Sequence, residues 1–188
     1  MQELLTGKRR LEEFNGKWIL KKLGDVLKVK HGKSQKEIID KNGQYPILAT
    51  GGKIGMASKY LYNKPSALIG RKGTIDKPQY VDTPFWTIDT LFYTEMLNDT
   101  NPKFVFYKFM NIDWYSYNEA SGVPSLNSKT IENIEQLFPP STEEQKIIVK
   151  ILTDMDSEIE QLEIKKDKYL MIKNGMMQKL LTGEIRLV

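Results

Sequence analysis

Apolar residues in the last quarter of the chain recur at alternating spacings of four and three: Ile148, Leu152, Met155, Ile159, Leu162, Tyr169, Met176 and Leu180, with Lys166 and Lys173 in the two remaining seam positions. That rhythm is a heptad and predicts a long amphipathic helix. The turn-like Phe138-Pro139-Pro140 precedes it, and Ser141 followed by Glu144 has the spacing of a capping box, in which the hydroxyl meets an early backbone N–H and the carboxylate reaches back. Run from 141 to 181, the helix spans about 40 residues, or ~60 Å at 1.5 Å per residue. It is too long to bury its stripe against a domain of this size, so the stripe calls for a partner helix from a second copy or another protein. Gly175 costs about 1 kcal/mol relative to Ala inside such a helix and predicts fraying around it.

The first three quarters have a different rhythm. WILKKLGDVLKVKHG, YPILA, PSALIG and QYVDTPFWTIDTLFYTEM are β-branched and aromatic runs broken by Gly, Pro and Asp, which suits short twisted strands and turns. KFVFYKFMNI places Val105, Phe109 and Ile112 on one helical face, and NSKTIENI predicts a short helix capped by Asn127 or Ser128. Strands and helices do not alternate regularly, which argues against a doubly wound parallel sheet. The fold expected is α+β: a mixed α/β domain followed by one long C-terminal coiled-coil helix. The boundaries expected are 1–16 for an opening motif and linker, 17–140 for the domain, 141–181 for the helix and 182–188 for a tail.

The chain repeats itself. MQELLTGKRRL at the start and MQKLLTGEIRL near the end agree at eight of eleven positions at an offset of 176. Locally each copy reads as a helix end, two leucines stopped by Thr-Gly. A repeat period this long excludes a solenoid of short units and points to one unit of a tandem pair, with the boundary motif at both ends.

Composition narrows the class. A length of 188 residues, 40% hydrophobic with 19 aromatics, describes a chain with a real core. Without cysteine it has no disulfide, no thiolate metal site and no cysteine nucleophile, which fits a reducing, cytoplasmic setting. No apolar run approaches the ~20 residues of a membrane span. The net charge of +4 conceals an asymmetry: residues 17–77 carry fourteen Lys and Arg against four Asp and Glu, whereas residues 78–140 carry three against eight. The basic stretch fits a polyanion, although charge by itself serves solubility as well.

Catalytic motifs fail on inspection. Gly32-Lys33-Ser34 resembles the end of a phosphate-binding loop, but Leu27 stands where that loop needs its first glycine. Phe138-Pro139-Pro140-Ser141 lacks the Asn or Asp that precedes the Pro-Pro of adenine methyltransferases. His31, the single histidine, reads as a solvated loop residue without a second histidine to assist it. Asp76, Asp82 and Asp89 show no metal-ligand spacing. The segments ATGGKIGMASKYLYNKP and ALIGRKGTIDKP remain, where glycines bring backbone N–H groups into the open among lysines and an arginine. They suit phosphates, or are simply the turns of a β-rich domain.

Three runs together resemble one family. YPILATGGKIGMASKYLYNKPSALIGRKGTIDKPQYVDTPFWTIDTLFYTE is similar to the target recognition domain of type I restriction–modification specificity subunits. SGVPSLNSKTIENIEQLFPPSTEEQKIIVKIL resembles their passage from that domain into a helix, and QKLLTGEIRL resembles the end of that helix. A typical subunit of the family contains two such domains, each followed by a long helix, so an LLTG sequence stands where one half joins the next. The resemblance here covers one half, either a natural half-subunit or a truncated second half.

The resemblance implies a noncatalytic DNA reader. It would pair with a second copy as a homodimer to read a bipartite, palindromic double-stranded target, and hold adenine methyltransferase and restriction/translocase subunits; S-adenosylmethionine, ATP and Mg belong to those partners, and no cofactor is expected on this chain. Phosphate contacts are expected from Lys33, Lys53, Lys59, Arg71 and Lys72, and base contacts from Ser34, Gln35, Ser58, Asn118 and Ser121. The dimerisation seam is Ile148, Leu152, Met155, Ile159, Leu162, Tyr169, Met176 and Leu180, with Gln145, Leu180 and Leu181 as candidate docking points for the methyltransferase. A stand-alone DNA-binding coiled-coil regulator would share the basic stretch and the heptads; an enzyme acting alone fits worst, for want of a site.

Overall fold

A computed structural model describes residues 2–186; residue 1 and the last two residues of the expected tail, 187 and 188, lie outside the described residues. The chain divides into two compact units, Met1–Val149 and Lys150–Val188.

The first unit carries all the strands. A short helix α1 (Gln2–Leu5) is followed by β1 (Ile19–Lys22), a single helical turn α2 (Leu23–Val26), β2 (Leu27–His31), β3 (Tyr45–Ala49), β4 (Gly52–Ala57), β5 (Ser66–Gly70), β6 (Gln79–Val81), β7 (Trp86–Thr87) and β8 (Leu91–Met96). Helix α3 (Pro102–Met110), a 3-10 turn Trp114–Tyr117, helix α4 (Ser128–Asn133) and β9 (Glu135–Phe138) lead to α5 (Thr142–Leu181). The strands form three small sheets, ordered β1-β9, β2-β8-β5-β6 and β4-β3-β7. Pairing is antiparallel except between β3 and β7.

The core explains the pattern. Every residue of β5 is buried, as expected of a strand covered on both faces. Helix α3 packs on β5 and buries Phe104, Val105, Tyr107, Lys108 and Phe109. Val105 and Phe109 therefore share the expected face, but the helix stops at Met110 and leaves Ile112 beyond it. Where the β5–β8 ladder ends at Leu68 and Tyr93, two buried hydroxyls continue it: Ser66 Oγ donates to the Thr94 carbonyl at 2.8 Å and Thr94 Oγ1 to the Ala67 carbonyl at 2.7 Å. Leu68, Phe85, Leu91 and Tyr93 form one hydrophobic cluster, and Ile38, Ile47 and Ala57 form a second.

Several expectations change. LGDV is a helical turn rather than strand, and GKIGMA, read as open glycine turns, is the strand β4. His31 ends strand β2, exposed but edge-on to Phe92 at 4.9 Å between ring centres, and so is not a loop residue. Asn127, not Ser128, caps α4, accepting the Lys129 N–H at 2.9 Å. At α5 only half of the capping box forms. Ser141 Oγ accepts the Glu143 N–H at 3.2 Å, while the Glu144 carboxylate turns inward to the more strongly charged Arg10.

The second unit, described to residue 186, is the remainder of α5 and its cap. The helix continues through Gly175 without a break. Tyr169 and Met171, 59% and 75% exposed, show how bare this stretch is.

Candidate nucleic-acid interface

Three of the five cations expected to meet phosphate gather around one turn, residues 87–90. Lys33 donates its backbone N–H to the Thr87 carbonyl at 2.9 Å, and its own carbonyl accepts from Trp86 Nε1 at 2.9 Å. Arg71 and Lys72 donate their backbone N–H groups to the Thr90 carbonyl at 2.8 and 3.3 Å, and Arg71 Nη1 reaches the Asp89 carbonyl at 3.2 Å. Gly32 permits the close approach to this turn, and Gly70 permits a second one, of the end of β5 to Thr74. A Cβ on Gly32 would stand 2.0 Å from the Ile88 carbonyl oxygen, and one on Gly70 would stand 2.1 Å from that of Thr74. The failed phosphate-loop glycine is thus a packing glycine that sets Lys33 beside β7.

Arg71 and Lys72 also line a cavity of about 230 Å³ with His31, Glu119 and Asn127 among its walls. Glu119 accepts the Thr130 hydroxyl there. Among the described residues none of Lys33, Lys53, Lys59, Arg71 and Lys72 makes an ion pair. Lys30, from the same basic stretch, is paired with Glu95 at 3.4 Å.

The two glycine-rich segments meet. Gln79 Nε2 donates to the carbonyls of Ala49 and Thr50, at 2.8 and 3.2 Å, clasping the β3–β4 turn to the end of the GRKGTIDKP loop. Thr50, Gly51, Gly52, Thr74 and Lys77 line the depression between them. Lys53 is exposed on β4, and Ser58 and Lys59 are exposed just after it. Ser58 lies near Gln35, because the Ser58 N–H bonds to the Ile38 carbonyl at 3.0 Å and Ile38 closes a turn onto Gln35.

The expected base readers differ in how free they are. Ser34 and Ser121 are exposed and Gln35 is half-buried. Asn118 is committed to its own loop: its Oδ1 accepts from the N–H groups of Ala120 and Ser125, and its Nδ2 donates to the Ala120 carbonyl at 2.8 Å. Gln145 lies buried, its Oε1 accepting the Asn101 N–H at 3.0 Å, so it is a strut under α3 and not an exposed docking point. Of the seam residues, Ile148 and Leu152 are buried, and Met155, Ile159, Leu162, Tyr169, Met176 and Leu180 are exposed. The open part of the stripe begins at Met155.

A second constellation was not legible in advance. Glu144, 1% exposed, accepts from Arg10 Nε at 2.8 Å, Arg10 Nη2 at 3.0 Å and Trp18 Nε1 at 3.1 Å. Lys108 Nζ donates to the Leu5 carbonyl at 2.5 Å and sits 5.3, 5.7 and 5.5 Å from the rings of Trp18, Phe104 and Phe138. Burial lowers its pKa to about 8, while the ring faces and the carbonyl favour the cation. Sequence spacing could not have paired residues 5 and 108, or 10 and 144. The signal available was the LLTG repeat itself, which said that the segment mattered but not what it touches. No group of three or more His, Asp or Glu side chains converges to hold a metal among the described residues.

Residues 15–167 match the family model described as the type I restriction modification DNA specificity domain. The chain is 28% identical over 179 residues to the type I restriction enzyme MjaVIII specificity subunit of Methanocaldococcus jannaschii, covering 88% of this chain and 42% of that protein. Its fold resembles the crystal structure of a type I restriction–modification S subunit from M. genitalium, with a TM-score of 0.68 at 18% identity, covering 93% of this chain and 48% of that one. It also resembles a chain from a study of complex assembly and conformational transition of the type I R-M system, with a TM-score of 0.72 at 15% identity, covering 96% and 50%. The chain spans about half the length of the relatives it matches.

Proposed function

Because this chain belongs to the type I restriction–modification DNA specificity family, we propose that it is the noncatalytic DNA-reading subunit of such a system, pairing through α5 to read a bipartite duplex target. Lys33, Arg71 and Lys72, held around the 87–90 turn without carboxylate partners among the described residues, carry the reading. Cations placed by backbone hydrogen bonds can neutralise phosphates and fix a register, while Ser34, Gln35, Ser58 and Ser121 offer hydroxyls and an amide to base edges. Two identical readers related by a twofold axis require identical half-sites, so the target is palindromic, with a spacer set by the paired helices.

The apolar stripe from Met155 to Leu180 supports the pairing, since an exposed heptad is stabilised by a partner helix. Adenine methyltransferase and restriction/translocase subunits dock on the assembly in the cytoplasm. They bring S-adenosylmethionine, ATP and Mg, none of which this chain binds. The test is the mass of the purified chain, alone and mixed with a methyltransferase subunit of such a system, followed by mapping of methylated sites. A dimer that takes up methyltransferase and directs methylation to a split palindrome is the expected result. Sequence-specific DNA binding without uptake of any methyltransferase would replace this reading with that of a stand-alone regulator.

A further inference from the structure

The basic cavity holds an acid. Arg71 and Lys72 line it together with Glu119, yet among the described residues Glu119 forms no ion pair with either. A surface that met phosphates alone would gain nothing from a carboxylate and would be repelled by it.

Two loops build this cavity of about 230 Å³, one bringing the cations and the other the acid. The Leu126 N–H donates to the Arg71 carbonyl and the Gly73 N–H to the Pro124 carbonyl, both at 2.9 Å, so Lys72 and Ser125 lie side by side like residues of neighbouring strands. Glu119 is set by the second loop. Its N–H donates to the Ser125 carbonyl at 3.0 Å, Asn118 Oδ1 gathers the N–H groups of Ala120 and Ser125 at 3.1 and 2.9 Å, and its carboxylate accepts the Thr130 hydroxyl. That bond leaves most of the lone pairs of an ionised carboxylate open. On the first loop Arg71 Nη1 is drawn to the Asp89 carbonyl at 3.2 Å, whereas the exposed Lys72 has no carboxylate partner among the described residues.

A ligand that satisfies both loops must offer acceptors to Lys72 and a donor to Glu119. Phosphate has no donor. In the major groove a G·C pair fits, because guanine N7 and O6 lie together as acceptors and the cytosine N4 amino group beside them is the donor. An A·T pair sets its one donor between two acceptors, so a carboxylate there meets a lone pair on each side. From this match we infer that Glu119 and Lys72 read one G·C pair in each half-site, Glu119 accepting from cytosine N4 and Lys72 donating to guanine O6 and N7. Arg71 is left to the phosphates. The inference rests on the DNA-reading function proposed above and narrows it: Lys72 moves from the phosphate backbone to a base, and Glu119 joins the readers, selecting as much by rejecting other pairs as by binding this one.

The test offers the full chain, alone and with a methyltransferase subunit, a pool of duplexes with randomised half-sites, and sequences the bound fraction. The wild-type chain should retain a G·C pair at one position of each half-site. Glu119→Gln keeps the shape of the side chain and should lower the preference for cytosine there about fivefold or more, admitting adenine, which Gln can hold at N6 and N7. Other positions should keep their preference, and unselected duplex should bind at least as tightly, because a repelling charge is gone. Lys72→Met should relax the same base pair. Relaxation at two different pairs, an unchanged preference in either variant, or a uniform weakening on all duplexes overturns the inference and leaves DNA reading standing. A pool from which the wild-type chain selects no sequence overturns both.

Discussion

Replacing Glu144 by Ala removes the acceptor at which the opening segment, Trp18 and the first turn of α5 meet. Three donors lose their partner: Arg10 Nε and Nη2 at 2.8 and 3.0 Å, and Trp18 Nε1 at 3.1 Å. Breaking a buried ion pair from one side costs about 3–5 kcal/mol. The Arg10 side chain is 25% exposed, so water recovers part of its solvation and the expected loss falls to about 2–4 kcal/mol. Against a total stability of about 5–15 kcal/mol this is a large fraction. Urea unfolding followed by tryptophan fluorescence and circular dichroism should show the midpoint falling by about 0.7–2 M, given a slope of ~2–3 kcal/mol/M for a chain of this size. Glu144→Gln keeps one acceptor and should lose about half as much. The double variant with Arg10→Ala should return a coupling of about 1–3 kcal/mol. A loss below about 1 kcal/mol for Glu144→Ala, or a coupling near zero, would show that this carboxylate organises nothing.

Lys108 links stability to pH. Its pKa is about 8 in the fold and ~10.4 unfolded, so above pH 8 the unfolded chain holds a proton that the folded chain has released, and stability rises with pH. Between pH 8 and 9.5, before tyrosine ionisation, the melting temperature should rise, and Lys108→Met should flatten the rise; parallel curves refute the assignment. Gly32→Ala drives a Cβ into the Ile88 carbonyl and should cost at least about 3 kcal/mol, whereas Gly175→Ala faces open space and should gain about 1 kcal/mol; equal urea midpoints would contradict both. Thr87 Oγ1 is buried without a hydrogen-bond partner among the described residues, so Thr87→Val should be neutral or stabilising by about 1 kcal/mol, and a clear loss in thermal melts argues for a partner. Lys53→Ala and Arg71→Ala should weaken binding to every duplex and lower the salt slope by about one each; an unchanged slope removes that residue from the interface.

The sequence by itself determined the elements whose signal is local. The heptad from Ile148 to Leu180 marked α5, because a 3.5-residue rhythm needs no tertiary context to declare a helix. Val105 and Phe109 marked α3 in the same way, and Asn127 the cap of α4. Three runs in the expected order pointed to the DNA specificity family, to which the chain belongs. Tertiary structure decided what long-range partners control. Glu144 had the spacing to cap its own helix, but a guanidinium some 130 residues away offers a charged pair that a backbone N–H cannot match. GKIGMA, with two glycines in six residues, carried a weak strand signal and became β4 where β3 supplied the ladder. Leu5 and Leu181 stand in near-identical sequences, each followed two residues on by a left-handed glycine, and only the fold distinguishes them: burial depends on what surrounds a side chain, and no local pattern encodes that.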